Sequence, residues 1–465
     1  MTSIAVVVLD TLRKDAFEEF FEWLPGTRFE NAWSTGSRTV PAHASLFTGQ
    51  YPSEAGVHAR SETLDCAEPT VAEQLRDAGY ATSAFTCNPY ISATFGFDRG
   101  FERVGESWRV RNRDPDLFDW TPFVSETRGT GPGRYLRAIV RCLRADVDTL
   151  ASVRHGGVLK LRDMGRGDLV GSDDEGGKHA LRWLRDRSFD DQEFLFVNLM
   201  EAHAPYNPPE AYRTVQLEGS PGLTEMLAET PPDVDPERVR QAYEDSVRYL
   251  ADVYREMFAE LRSAFEYVIT LGDHGECFGE GGVWRHEHGL VPELTHVPLC
   301  ISDGRSETRT DDRCVSLLDV HRTILSLAGV EDNGDSRGRS LNGPSLDDPD
   351  LGDADEGNDP SDGGRYLTEL HGLGSRKRET LRLEGVPEEL IEAYDVVLCG
   401  IALENGYYGY ETIDEFQSIG TPPSGADPAS VMDDLIADLI PREVGDADDD
   451  LPEEVIEQLR DLGYA

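Results

Sequence analysis

Lysine is nearly missing: the 465 residues hold only four, Lys14, Lys160, Lys178 and Lys377. Acidic residues number 89 against 44 Lys plus Arg, a formal charge of −45. Repulsion on that scale excludes generic binding to nucleic acid or to an anionic membrane surface. Lysine depletion with acidic excess fits a high-salt cytosol, where screening removes the self-repulsion that opposes a compact state. Dilution from molar to low salt is therefore expected to unfold the chain. Circular dichroism reads this directly, and a melting curve unchanged by salt would discard the halophile reading.

Long apolar runs are also missing. No window approaches the ~18 to 20 apolar residues of a membrane span. The opening Ile4–Leu9 run lacks a basic flank and a small-residue cleavage site, so it reads as a core strand rather than a signal peptide. The expected location is the cytoplasm. The seven cysteines include no CxxC pair, and an odd, scattered set fits reduced thiols, Cys277 being read as a packing residue.

What is present is alternation. Strand-like runs at Ile4–Leu9, Ala81–Cys87, Phe194–Met200, Tyr267–Leu271 and Val297–Ile301 alternate with helical patterns at Thr70–Ala78 and Val239–Ala264. This predicts an α/β fold with a mostly parallel sheet flanked by helices. The pattern breaks over about 105–175, read as a variable insertion within a catalytic domain of residues 1–330. Residues 331–364 have the composition of a solvated acidic linker. Beyond it, Tyr394–Leu403 and Gly406–Thr412 predict strands joined at Glu404-Asn405-Gly406, in a small sheet-bearing C-terminal α+β subdomain spanning 365–465. The acidic blocks Asp347–Asp362 and Asp446–Asp450 read as solvated surface.

Two strand-like runs end on metal-competent side chains. Ile4–Leu9 ends on Asp10, and Tyr267–Leu271 is followed by Gly272, Asp273 and His274. In a parallel sheet, acids at carboxyl ends read as site residues; for Asp10 the alternative is a cap on a helix beginning near Thr11. Oxygen-rich coordination with one imidazole suits Ca²⁺, Mg²⁺ or Mn²⁺ and accepts Zn²⁺. Thr39, in Thr39-Val40-Pro41-Ala42-His43, is expected just outside the N-terminus of a helix Ala42–Thr48, where free N–H groups favour an anionic ester. An ordinary N-cap is its alternative role.

Four segments, in order, carry a family resemblance: Val8–Asp15; Arg38–Gly49 with Tyr51–Gly56; Asn198–Tyr206; and Gly272–Glu276 running through Arg285–His288 to His296–Leu299. Together they resemble the sulfatase-like branch of the alkaline phosphatase superfamily over roughly residues 1–330, with a weaker echo in Leu459–Tyr464. The resemblance implies an alkaline-phosphatase-like fold and Asp10, Thr39, Asp273 and His274 as ligands of a divalent metal. It implies His203 and His288 as catalytic groups that bind the ester or protonate the leaving oxygen. His43 and Asn88 are expected to bind substrate, with packing and an Asn-Pro turn as their alternatives; His286 and His296 are read as structural, with a second-metal role open for His286.

The chain departs from the sulfatase pattern in three places. The formylglycine position is Thr39, whose oxidation would give a ketone; the motif arginine is His43; and the second acid after the first strand is Thr11. No formylglycine is expected, and Thr39 resembles the direct nucleophile of phosphoethanolamine transferases and nucleotide pyrophosphatases. The implied function is hydrolysis of a phosphate or sulfate ester on a small molecule or glycan. The alternatives are a sulfuric ester hydrolase without formylglycine, a phospho-group transferase, or a non-catalytic binder of sulfated or phosphorylated glycans.

Overall fold

The computed structural model describes residues 2–107, 174–217, 221–227, 234–305, 307–334, 336–342 and 364–445, with 118, 120, 123, 137, 140–143, 149–163 and 219. Its central sheet takes β1 (Ile4–Leu9), β2 (Gly26–Trp33), β3 (Ala81–Thr86), β4 (Arg103–Glu106), β5 (Glu193–Leu199) and β6 (Tyr267–Leu271). After a short hairpin of β7 (Cys277–Phe278) and β8 (Trp284–Arg285) come β9 (Leu299–Ser302) and β10 (Thr308–Ser316). The strand order is β10-β2-β9-β6-β1-β5-β3-β4. Only β9 is antiparallel to its neighbours; every other pairing in this sheet is parallel.

The continuous apolar run of β1 has a direct cause. Successive side chains leave a strand on opposite faces, and here both faces are covered. Ile4, Val6 and Val8 join the core beneath the helices Thr39–Thr48 and Leu317–Ala328, while Ala5, Val7 and Leu9 join the core beneath the helix Pro236–Ala264. At roughly 1.5–3 kcal/mol per fully buried Val, Leu or Ile, a polar residue on either face would be costly. The long helix is started by Asp235, whose side chain accepts the N–H of Glu237, and by Pro236 at its first position.

A second, antiparallel sheet orders β11 (Tyr366–His371), β12 (Val397–Leu403), β13 (Tyr407–Glu411) and β14 (Phe416–Ile419) as a meander. The expected turn at Glu404–Gly406 is there, with Asn405 at φ 62°. This sheet docks on the central one. Trp33 stacks between Tyr408 and His296, at centroid distances of 4.3 and 4.6 Å. Strand β11 also reaches both flanks of the helix Thr39–Thr48. Thr368 Oγ1 donates to Ser34 O (2.7 Å), Glu369 N donates to Thr35 O (2.8 Å), and the Glu369 carboxylate accepts from Ser53 N and Oγ at 2.9 and 2.8 Å.

In the central sheet β2, β4 and β10 were not anticipated from sequence, nor were the β7–β8 hairpin and strands β11 and β14. Most of the expected insertion, the blocks Asp347–Asp362 and Asp446–Asp450, and Leu459–Tyr464 lie outside the described residues. At the described start of the expected linker, Arg337 N donates to Gly49 O, Arg339 N to Asp319 and Leu341 N to Thr323. Among the described residues no helix is long and apolar enough to cross a membrane.

Candidate active site at the carboxyl edge of the sheet

The carboxyl ends of β1, β3, β5 and β6 deliver Asp10, Asn88, His203 and Asp273 with His274, and the chain leaving β2 delivers Thr39. Asp10, Asp273 and His274 offer ligand atoms all within 4.8 Å of one another, and all three are buried. Asp10 Oδ1 and Asp273 Oδ2 are buried without a hydrogen-bond partner. Burial, with the Asp273 charge, pushes the Asp10 carboxyl up to about 7, and burial pushes Asp273 up to about 7. Two such carboxylates beside an imidazole are a costly arrangement unless a cation joins them. His274 completes the donor set: its Nδ1–H donates to Gly275 O (2.9 Å), which leaves Nε2 as an acceptor facing Asp10 and Asp273. The residues present therefore fit a divalent cation.

Thr39 Oγ1 lies 3.2 Å from His274 Nε2. The helix begins at Thr39 itself, with Arg38 as N-cap, so Thr39 is neither outside the helix nor its cap; Pro41 stands at the third helical position. Asp10 caps no helix either. The next one starts at Lys14 behind Arg13. Thr11, where a second acid was absent, has a positive φ of 59° and donates its backbone N–H to Asp273 Oδ1 at 3.2 Å. A β-branched residue is rarely left-handed, and such strain concentrates at functional sites. Here it turns a main-chain donor onto the second carboxylate.

The remaining expectations fare unevenly. Asn88 is in the site, but both its polar atoms serve the protein. Its Nδ2 donates to Asp10 Oδ2 (2.8 Å) and its Oδ1 accepts from Tyr90 N (2.9 Å), so one amide N–H orients a carboxylate. His43 is fully buried below Thr39. Its Nδ1 bonds Thr39 O (2.9 Å), its ring is enclosed by Phe47, Phe97 and Phe196, and burial pushes it down to about 3. His203 bonds Ala204 O through Nδ1 and lies 4.9 Å, ring to ring, from His286.

His288 requires correction. Its Nε2 bonds Tyr394 O (2.9 Å) and its ring packs on Tyr394, so it belongs to the contact with the C-terminal layer. The histidine brought to the centre is His286, 4.7 Å from the His274 ring and bonded through Nδ1 to Glu276 Oε1 at 3.0 Å. Glu276 also accepts from Tyr206 OH (2.9 Å), and burial pushes its carboxyl up to about 7. Arg285, ahead of both histidines at the end of β8, has φ 55°. His296 is structural, bonding Glu30 O, and Cys277 is a buried thiol pushed well up by burial.

Thr39 and His286 open onto a cleft also lined by Arg38, Glu62, Arg376 and Lys377. Arg38 donates to the Glu287 carbonyl, Arg376 pairs with Glu62 at 2.6 Å, and Lys377 pairs with Glu287 at 2.9 Å.

A likeness to solved structures supports the fold. Phosphonate monoester hydrolase SpPMH from Silicibacter pomeroyi superposes with a TM-score of 0.57 at 16% identity, covering 94% of each chain. The 2-O GAG sulfatase BT1596 does so with a TM-score of 0.53 at 14% identity, covering 90% of this chain and 84% of that one. The architecture is thus alkaline-phosphatase-like. In sequence, the chain is 26% identical to a choline-sulfatase of Rhizobium meliloti (strain 1021) over 339 residues, 65% of this chain and 60% of the relative. It is 33% identical over 106 residues to the low-salt glycan biosynthesis sulfotransferase Agl7 of Haloferax volcanii, 21% of this chain and 26% of that protein. The chain thus covers less than two thirds of either relative's length. The Sulfatase family model matches residues 20–330, about two thirds of the chain and the whole span from β2 to the helix Leu317–Ala328, and the protein belongs to the sulfatase family.

Proposed function

We propose that the protein is a metal-dependent ester hydrolase that cleaves a sulfate or phosphate ester, with the Thr39 hydroxyl as nucleophile. The observation carrying this reading is the placement of Thr39 Oγ1, 3.2 Å from His274 Nε2 and beside two buried carboxylates, at the opening of the cleft. Asp10, Asp273, His274 and the Thr39 oxygen are the residues that would hold the metal. A divalent cation there supplies Lewis-acid charge, which lowers the cost of ionising an alcohol and offsets charge on the ester oxygens.

The rest is done by the chain. Thr39 Oγ1 forms a bond to sulfur or phosphorus and gives up its proton, and the bond to the leaving oxygen breaks. His203 and His286 carry that proton to the leaving oxygen; each is held through Nδ1, by Ala204 O and by Glu276, so transfer runs at Nε2. Water then attacks the Thr39 ester, releasing sulfate or phosphate and restoring the hydroxyl. Asn88 and Asn198 hold Asp10 in place by donating to its Oδ2.

The ester class follows from the nucleophile. A plain alcohol lacks the special route by which formylglycine releases sulfate, so phosphate esters are expected to turn over faster. Side-by-side assays of 4-nitrophenyl phosphate, bis-4-nitrophenyl phosphate and 4-nitrophenyl sulfate decide this. Faster sulfate turnover would favour a sulfatase working without formylglycine, and no turnover of any ester would move the reading to a non-catalytic binder of such groups.

A further inference from the structure

The cleft beside Thr39 has two halves of different origin. Arg38, Thr39, Glu62 and His286 come from the catalytic layer, whereas Arg376 and Lys377 come from the first turn of the helix Ser375–Leu383 in the C-terminal layer. Three cations line this one opening against two carboxylates, Glu62 and Glu287. The local balance is positive in a chain carrying −45, and it uses one of only four lysines. The ion pairs are partly buried: Arg376 and Glu62 side chains are 14% and 20% exposed, Lys377 and Glu287 18% and 12%.

Packing between layers accounts for some charge pairing, but not for the excess cation or for its position at the mouth of the nucleophile's cleft. Burial alone would raise the Glu287 carboxyl, yet Lys377, Arg285 and Arg38 hold it well below the usual carboxylate range. One carboxylate is thus surrounded by three cations. A guanidinium offers five N–H donors and an ammonium three, so an ion pair does not exhaust a cation's capacity for an oxyanion.

We propose that Arg376, Lys377 and Arg38 form a subsite for a second oxyanion of the substrate, so that the preferred ester also bears a carboxylate or another sulfate or phosphate. This rests on the ester-hydrolase reading, because the reacting ester occupies the Thr39 end of the same cleft. Glu62 and Glu287 then act as internal stand-ins that hold the cations in position and compete with the incoming anion. That competition sets the sign of the test.

Binding is measured by titration calorimetry with manganese present, on the full chain, using glucose 6-phosphate, gluconate 6-phosphate and glucose 1,6-bisphosphate. The second-anion probes are expected to bind about tenfold tighter than glucose 6-phosphate, the scale of one charge-assisted contact. Lys377→Met should bring the ratio of affinities close to one, and Lys377→Arg should keep it. Glu62→Gln should raise the ratio, an effect that general loosening of the fold cannot produce. The relative gains of gluconate 6-phosphate and the bisphosphate tell a carboxylate subsite from a sulfate- or phosphate-type one. A ratio near one in the unaltered protein, a ratio indifferent to Lys377→Met, or no binding of any probe would overturn the subsite. Loss of all ester turnover with these ratios intact would instead count against the hydrolase reading alone.

Discussion

Thr39→Ala is expected to lower kcat on a phosphate ester by about a thousandfold or more, the scale at which a covalent nucleophile is lost while binding groups remain. Alanine preserves the first turn of the helix Thr39–Thr48, so circular dichroism should be unchanged while turnover collapses. Thr39→Ser keeps the oxygen near His274 Nε2 and should retain most of the activity that alanine loses. The mass of the peptide containing Thr39 should be that of unmodified threonine. Undiminished turnover by Thr39→Ala would remove Thr39 as nucleophile, leaving the surrounding carboxylates to be explained without it.

The second large effect concerns stability, and its sign comes from the same carboxylates. Without a cation, burial pushes the Asp10 and Asp273 carboxyls up to about 7, whereas in an unfolded chain aspartate titrates near ~3.9. A folded-state value raised above the unfolded one gives stability that is intact below about 4 and lost as pH rises to about 7. Asp10→Asn cannot ionise. In chelator it should melt at the same temperature as the unaltered protein near pH 4 and distinctly higher near pH 8, where the difference in stability is a few kcal/mol on the scale of such a shift. Manganese at pH 8 should then raise the melting point of the unaltered protein and leave the variant where it was, while turnover appears only in the former. Identical melting curves across this range, with no response to a divalent cation, would discard the metal centre.

Much of this site was legible in sequence because its residues follow apolar runs. Asp10, Asp273 and His274 stand where strands buried on both faces must end, and that pattern is visible without a structure. Strands β2 and β10 were not, because they alternate or face solvent: Thr27, Arg28, Glu30 and Asn31 interrupt the apolar positions of β2, and only Asp311, Cys314, Val315 and Ser316 of β10 are buried. The bulge between Asp311 and Cys314 removes even that weak periodicity. Choosing between His286 and His288 failed for a different reason. Residues two apart share a face in an extended segment, so alternation could not separate them and the resemblance alone chose His288. Asn88 shows a third limit, since the resemblance places it near the anion but cannot say that one of its N–H groups will be donated to Asp10. Arg376 and Lys377 lie beyond the segments whose motifs pointed to chemistry, and only the docking of the second sheet brings them to Thr39.

Strand β11 has a consequence for how the protein is made. The loop Ser34–Ser37 ahead of the nucleophile is tied by Thr368 and Glu369, and the turn after its helix is tied again by Glu369 through Ser53. These partners are more than 300 residues downstream, so during synthesis most of the central sheet emerges from the ribosome long before the bonds flanking the helix Thr39–Thr48 can form. A nascent chain stopped short of residue 366 would carry Asp10, Asp273 and His274 but lack the ties on either side of the helix Thr39–Thr48. Those ties would form only once β11 has been made and has docked.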